Sequence, residues 1–179
     1  MTQEINLKSV DLLDYQAFVL FYSKKARKQM MINTIGIFGE AMIAGFVIDK
    51  LTGYQIFTII GVAFGIFWVF FYPFFLKNRR LKALKNLRSN EVEKTMKFEV
   101  NDEYLAYYKD ELRENEKFAF SDISEIYELK NIFVIFLGEK VHIIIPRNDE
   151  TTKMISLSAK NSNKHILKYE NLEYSSVVR

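Results

Sequence analysis

Twenty-one consecutive residues, 56–76, read IFTIIGVAFGIFWVFFYPFFL and carry no charged side chain. As a helix rising 1.5 Å per residue they would extend about 31 Å, the thickness of a bilayer's hydrocarbon core. A chain of 179 residues has difficulty enclosing so long an apolar rod in a water-soluble core. The run therefore predicts a transmembrane helix. It ends a longer apolar block, residues 31–76, which divides at the polar stretch DKLTGYQ (49–55) into spans 31–48 and 56–76.

The two spans differ in strength. The second holds 14 Ile, Leu, Val and Phe residues, at roughly −0.3 to −0.6 kcal/mol each, so its insertion is favourable by several kcal/mol. The first holds eight, with Glu40 near its middle, and a charged group there costs about 3 kcal/mol. Span 31–48 is thus expected to insert with its neighbour, as a hairpin. Lys24, Lys25, Arg27 and Lys28 precede the hairpin, and Lys77, Arg79, Arg80, Lys82, Lys85 and Arg88 follow it. The connecting turn offers only Lys50, beside Asp49. The positive-inside rule then puts both termini in the cytoplasm, as in a multi-pass protein of a bacterial cytoplasmic (inner) membrane.

Mean hydropathy is −0.05, an average that conceals segregation: six of seven glycines lie between positions 36 and 65, while charge crowds into the flanks and the C-terminal half. Gly61 and Gly65 form one small-x-x-x-small ridge, and Ala41 and Gly45 another. Such ridges let helices approach closely in lipid, where hydrophobicity supplies no attraction. The sequence leaves open whether the partner helix is in the same chain or in another copy. Pro73 is expected in the last turn of the second span, where a kink costs little.

Outside the hairpin the pattern changes twice. Residues 1–9 alternate and suit a short strand; residues 11–22 form an aromatic-rich helix that runs into cations. That helix could lie at the headgroups or pack on the soluble part. Residues 77–94 are expected to continue as a basic juxtamembrane helix, with Leu81, Leu84 and Leu87 on one side. Its cations could attract anionic headgroups, at about 1 kcal/mol each near the surface. The topology rule accounts for them without nucleic acid.

From residue 95 the period becomes that of strands: TMKFEV, YLAYYK, LRENEKFAF, SDISEIYELK, NIFVIFL and VHIIIP follow one another. A two-residue II′ turn is expected at Leu137-Gly138-Glu139-Lys140. The apolar runs on either side of it are expected to be central strands. Pro146 ends the last strand, and Asp149 or Thr151 can start a helix. Residues 95–179 are thus expected to form one cytoplasmic domain, with residues 1–30 as an N-terminal strand and interfacial helix.

Phe120-Ser121-Asp122-Ile123 with Ile126 and Tyr127, then Ile144-Ile145-Pro146-Arg147, follow a membrane hairpin and a basic helix. In this order of parts the chain resembles the YcxB-like family of bacterial membrane proteins. The resemblance implies that the C-terminal part is a pleckstrin-homology-like domain, a small antiparallel barrel or curved sheet closed by a C-terminal helix. Phe120 stands where the family pattern has Trp, and no aromatic follows the Pro-basic pair in Asn148-Asp149-Glu150. The family implies a fold and a location, and no activity.

No reaction centre stands out. The chain lacks cysteine, so disulfides, thiolate metal sites and cysteine nucleophiles are excluded. His142 and His165 are separated by 22 intervening residues without a framing acidic cluster, and no phosphate loop or hydrolase motif occurs. The pairs Asp102-Glu103, Asp110-Glu111 and Asp149-Glu150 stand where turns and a helix start want them. No catalytic, cofactor-binding or metal-binding residue is expected. Glu40 is the candidate intramembrane functional residue, with a structural role as its rival. The expected protein is non-enzymatic and presents a small domain to an unidentified protein or peptide partner, or to headgroups. Alternatives are a subunit or regulator of a transporter or channel complex, or immunity against a membrane-acting toxin.

Overall fold

The computed structural model describes residues 1–87, 93–138 and 141–178. They divide into two compact units: Val19–Lys85, and Met1–Phe18 with Asn86–Arg179.

The Val19–Lys85 unit is built from two long helices, α2 (Lys24–Thr52) and α3 (Ile56–Leu87), the second running two residues past its boundary. Ser23 caps α2, its hydroxyl accepting from the Ala26 amide at 3.1 Å. Gly53 ends it at φ 76°, a left-handed conformation that glycine adopts without Cβ strain. Asp49, in the last turn of α2, accepts from the amides of Phe57 and Thr58, both at 2.8 Å. It thereby satisfies two of the orphan donors at the start of α3. The polar stretch 49–55 is thus mostly helix, and the turn is only three residues long. Both helical stretches are long and apolar enough to cross a membrane, and almost none of their apolar windows is buried within the chain. Helix α3 continues unbroken past Pro73, which lies in the last turn of the apolar span 56–76 and inside the longer helix. The basic segment 77–87 extends the same helix; residues 88–92, Arg88 among them, lie outside the described residues.

The described residues of the second unit form two four-stranded sheets, three α-helices and two 3-10 turns. One sheet runs β1 (Thr2–Leu7), β2 (Lys94–Val100), β3 (Tyr104–Tyr108), β4 (Lys117–Ala119), all antiparallel. The other has the order β7 (Val141–Pro146), β6 (Ile132–Leu137), β5 (Ile123–Leu129), β8 (Ile166–Tyr169). Helices α1 (Ser9–Phe21), α4 (Asp149–Asn161) and α5 (Tyr174–Val178) complete it, with the last turn of α1 in the hairpin unit. One core draws Ile5, Phe98, Val100 and Leu105 from the first sheet. The second sheet adds Ile126, Phe133, Ile135 and Ile145, and α4 adds Met154, Ile155 and Ala159. Alternation in each strand aims these side chains inward.

Several expectations are corrected here. The two sheets do not close into a barrel. Residues 95–179 are not self-contained: β1, from the far side of the hairpin in sequence, pairs Thr2 with Glu99 and Leu7 with Lys94. Of the 112–120 run only Lys117–Ala119 is strand, preceded by a 3-10 turn. Residues 166–169 form a strand that pairs with β5 in parallel. Register matches Leu137 with Val141, leaving three residues between β6 and β7 rather than two. Gly138 has φ 62°, and Glu139 and Lys140 lie outside the described residues. Strand β6 is almost wholly buried, as expected of a central strand, while β7 is an edge strand whose buried Ile143 and Ile145 alternate with half-buried positions.

Candidate functional site

Four residues expected at helix contacts occupy one seam between α2 and α3. A Cβ on Gly61 would collide with the carbonyl oxygen of Ala41 and sit 3.2 Å from its carbon. One on Gly45 would lie 2.9 Å from both the carbonyl carbon of Phe57 and the Cα of Thr58. One on Gly65 would run into the ring of Phe38. The partner helix is therefore in the same chain. Asn33 adds a polar link, donating to the Tyr72 hydroxyl at 2.8 Å.

Glu40 lies apart from that seam. It is exposed, as are Gly36, Ile43, Ala44 and Val47 on the same side of α2. Of the basic residues beyond the second span, Lys77, Arg79, Lys82 and Lys85 are exposed, while Arg80 donates to the carbonyl of Ala26 at 3.4 Å.

In the sheet unit the notable chemistry is structural. Phe18 of α1 is completely buried and packs on Tyr127, ring centroids 4.6 Å apart, with Tyr169 and Phe136 around it. Tyr15 and Nδ1 of His142 share a 2.5 Å hydrogen bond. Asp14 accepts from the Tyr174 amide at 2.6 Å and from the Asn131 side chain at 2.8 Å. Burial pushes the Asp14 and Asp11 carboxyls above their ordinary range, against the pull of these bonds and of the Lys8 amide. Of the two placements open to the aromatic helix, packing on the soluble part holds for its first three turns, which dock on the second sheet. His165 is exposed, and no group of three potential metal ligands occurs among the described residues.

The residues of the resemblance are core and joint residues: Phe120, Ile123, Ile126, Tyr127 and Ile145 are buried. Pro146 ends β7, and Arg147 turns its guanidinium onto Glu128 at 2.8 Å. The Glu128 side chain is only 8% exposed, and Lys168 stands 3.8 Å from its other oxygen.

A cleft of about 690 Å³ opens between β1, the start of α1, the β5–β6 turn and the joint of β7 with α4. Cations line it (Lys8, Lys130, Arg147), with as many carboxyls (Glu4, Asp11, Asp149) and three side-chain amides (Asn6, Asn131, Asn148). Lys130 is already paired with Glu173 at 2.8 Å and Arg147 with Glu128. Asn148 is the cap of α4, accepting from the Thr151 amide at 2.8 Å, where sequence had suggested Asp149 or Thr151. The cleft thus carries balanced charge, and two of its three cations are already paired. Sequence reasoning missed this cleft because its walls come from residues 4–11, 130–131 and 146–152, and no local pattern links them. No family model, curated protein or solved structure matches the chain.

Proposed function

We propose that this chain is a two-span protein of a bacterial cytoplasmic membrane, non-enzymatic, whose sheet domain binds a peptide or protein partner at the inner face of the bilayer. The observation that carries the reading is the outward face of α2 and α3. Ile43, Phe70 and Phe74 are 66%, 77% and 64% exposed along helices that water could not accommodate without aggregation. A pleckstrin-homology-like domain of the YcxB-like kind is the fold we assign to the sheets. Two sheets sharing one core with helix α4, which follows β7, support it. The cleft beside β1 is the proposed peptide site, and Lys77, Arg79, Arg80, Lys82, Lys85 and Arg88 are the proposed contacts to anionic headgroups. Asp11 and Asp14 accept from the Lys8 and Tyr174 amides and the Asn131 side chain, bonds that tie α1 to the rest of the domain.

Absence of cysteine makes the test clean. Single cysteines at Tyr54, in the turn, and at Glu114, in the sheet domain, are both at exposed positions. In intact spheroplasts a membrane-impermeant maleimide should label Tyr54→Cys, and should label Glu114→Cys only after lysis. Labelling in the opposite sense overturns the orientation. A full-length protein that stays monodisperse in the supernatant without detergent overturns the membrane reading.

A further inference from the structure

Helix α2 has two small-residue faces, and the hairpin uses one. Ala41 and Gly45 meet α3, but a Cβ on Gly36 or Gly39 would meet nothing within 4 Å. Gly36, Glu40 and Ala44 follow one another at four-residue intervals, so they form a single line along the exposed side. Glycine weakens a helix interior and a carboxyl at mid-span opposes insertion, and packing against α3 accounts for neither. No hydrogen bond or ion pair engages Glu40 among the described residues.

We propose that the Gly36–Glu40–Ala44 line receives a transmembrane helix of a different membrane protein, one that presents an arginine or lysine at the depth of Glu40. Charge complementarity selects this occupant. A carboxyl facing hydrocarbon is relieved by an opposite charge beside it, and the small residues one turn to either side let the partner's backbone come close. A second copy of this chain cannot supply the charge, because residues 31–48 and 56–76 contain no lysine or arginine. Two copies joined at this face would set carboxyl against carboxyl. The inference rests on the membrane reading above and names the partner's chemistry.

The test uses the full-length protein reconstituted in phosphatidylcholine–phosphatidylglycerol vesicles, with a donor fluorophore on the sheet domain. Acceptor-labelled leucine–alanine helices of about 20 residues are added, with either one central arginine or leucine throughout. The arginine helix should associate about tenfold more tightly than the leucine helix. Glu40→Gln should abolish that preference, and Gly36→Leu should weaken association of the arginine helix while Glu40 remains. Circular dichroism of both variants should show unchanged helix content. Equal association of the two peptides, or a preference that survives Glu40→Gln, overturns the proposal. So does energy transfer between two copies of the protein that requires Glu40. Flotation with the vesicles separates the two readings: a protein that does not float sinks the membrane reading, and one that floats without preferring arginine sinks this inference alone.

Discussion

Replacing Phe18 with alanine asks whether α1 belongs to the sheet domain or to the lipid surface. Phe18 has no exposed area and three aromatic neighbours, at 4.6, 5.8 and 6.3 Å between centroids. A buried phenylalanine contributes roughly 150–250 Å² of contact, and at about 25 cal/mol per Å² that corresponds to about 4–6 kcal/mol as an upper estimate. Core Phe→Ala changes cost roughly 3–5 kcal/mol, so about 4 kcal/mol is expected. Pulse proteolysis of the full-length protein in mild nonionic detergent, across a urea series, reads unfolding of the sheet domain. With a slope of about 1–3 kcal/mol per M, the midpoint should fall by about 2 M. Val10→Ala, at an exposed position of the same helix, should leave it in place. A fall under about 0.5 M for Phe18→Ala, less than 1 kcal/mol at a mid-range slope, would refute the docking and favour a helix held only by headgroups.

Three further outcomes follow from the geometry. Gly61→Leu should destabilise the hairpin in detergent by about 2 kcal/mol through overpacking, read as a lower thermal midpoint, whereas Gly36→Leu, into open space, should not. Arg147→Met leaves the carboxylate of Glu128 only the longer contact to Lys168 and should cost about 2 kcal/mol, below the roughly 3–5 of fully buried pairs because Lys168 remains and the arginine is itself 36% exposed. Adding Glu128→Gln should recover most of that loss in the same urea assay. Burial pushes the Tyr107 phenol up from 10.0 to about 12. Its protonated form is therefore favoured by folding: the contribution is intact below pH 10 and is lost as pH rises through 12, about 2–3 kcal/mol for two units. Tyr107→Phe should show a correspondingly shallower alkaline decline, followed by urea midpoints at successive pH values.

What the sequence alone determined is the part governed by nearest neighbours. An uncharged 21-residue run, a polar break with a glycine and basic flanks specify two apolar helices joined by a short turn, and the glycine spacing already names the seam residues. Short alternating runs likewise specify β2, β3 and β5, continuous apolar runs specify β6 and β7, and Pro146 marks where the last of them stops. Tertiary structure decided everything that depends on partners distant along the chain. Thr2 finds Glu99, Asp14 finds Tyr174, and the four residues of β8 pair with β5 in parallel, a strand too short to show a period of its own. It decided that Phe18 faces Tyr127 and not lipid, and that the walls of the cleft come together. It also decided that Glu40 turns away from α3, because helical period fixes the angle between residues but only the packed seam says which side is in. Local pattern records what a segment can bury; the long-range contact it finds determines what it does bury.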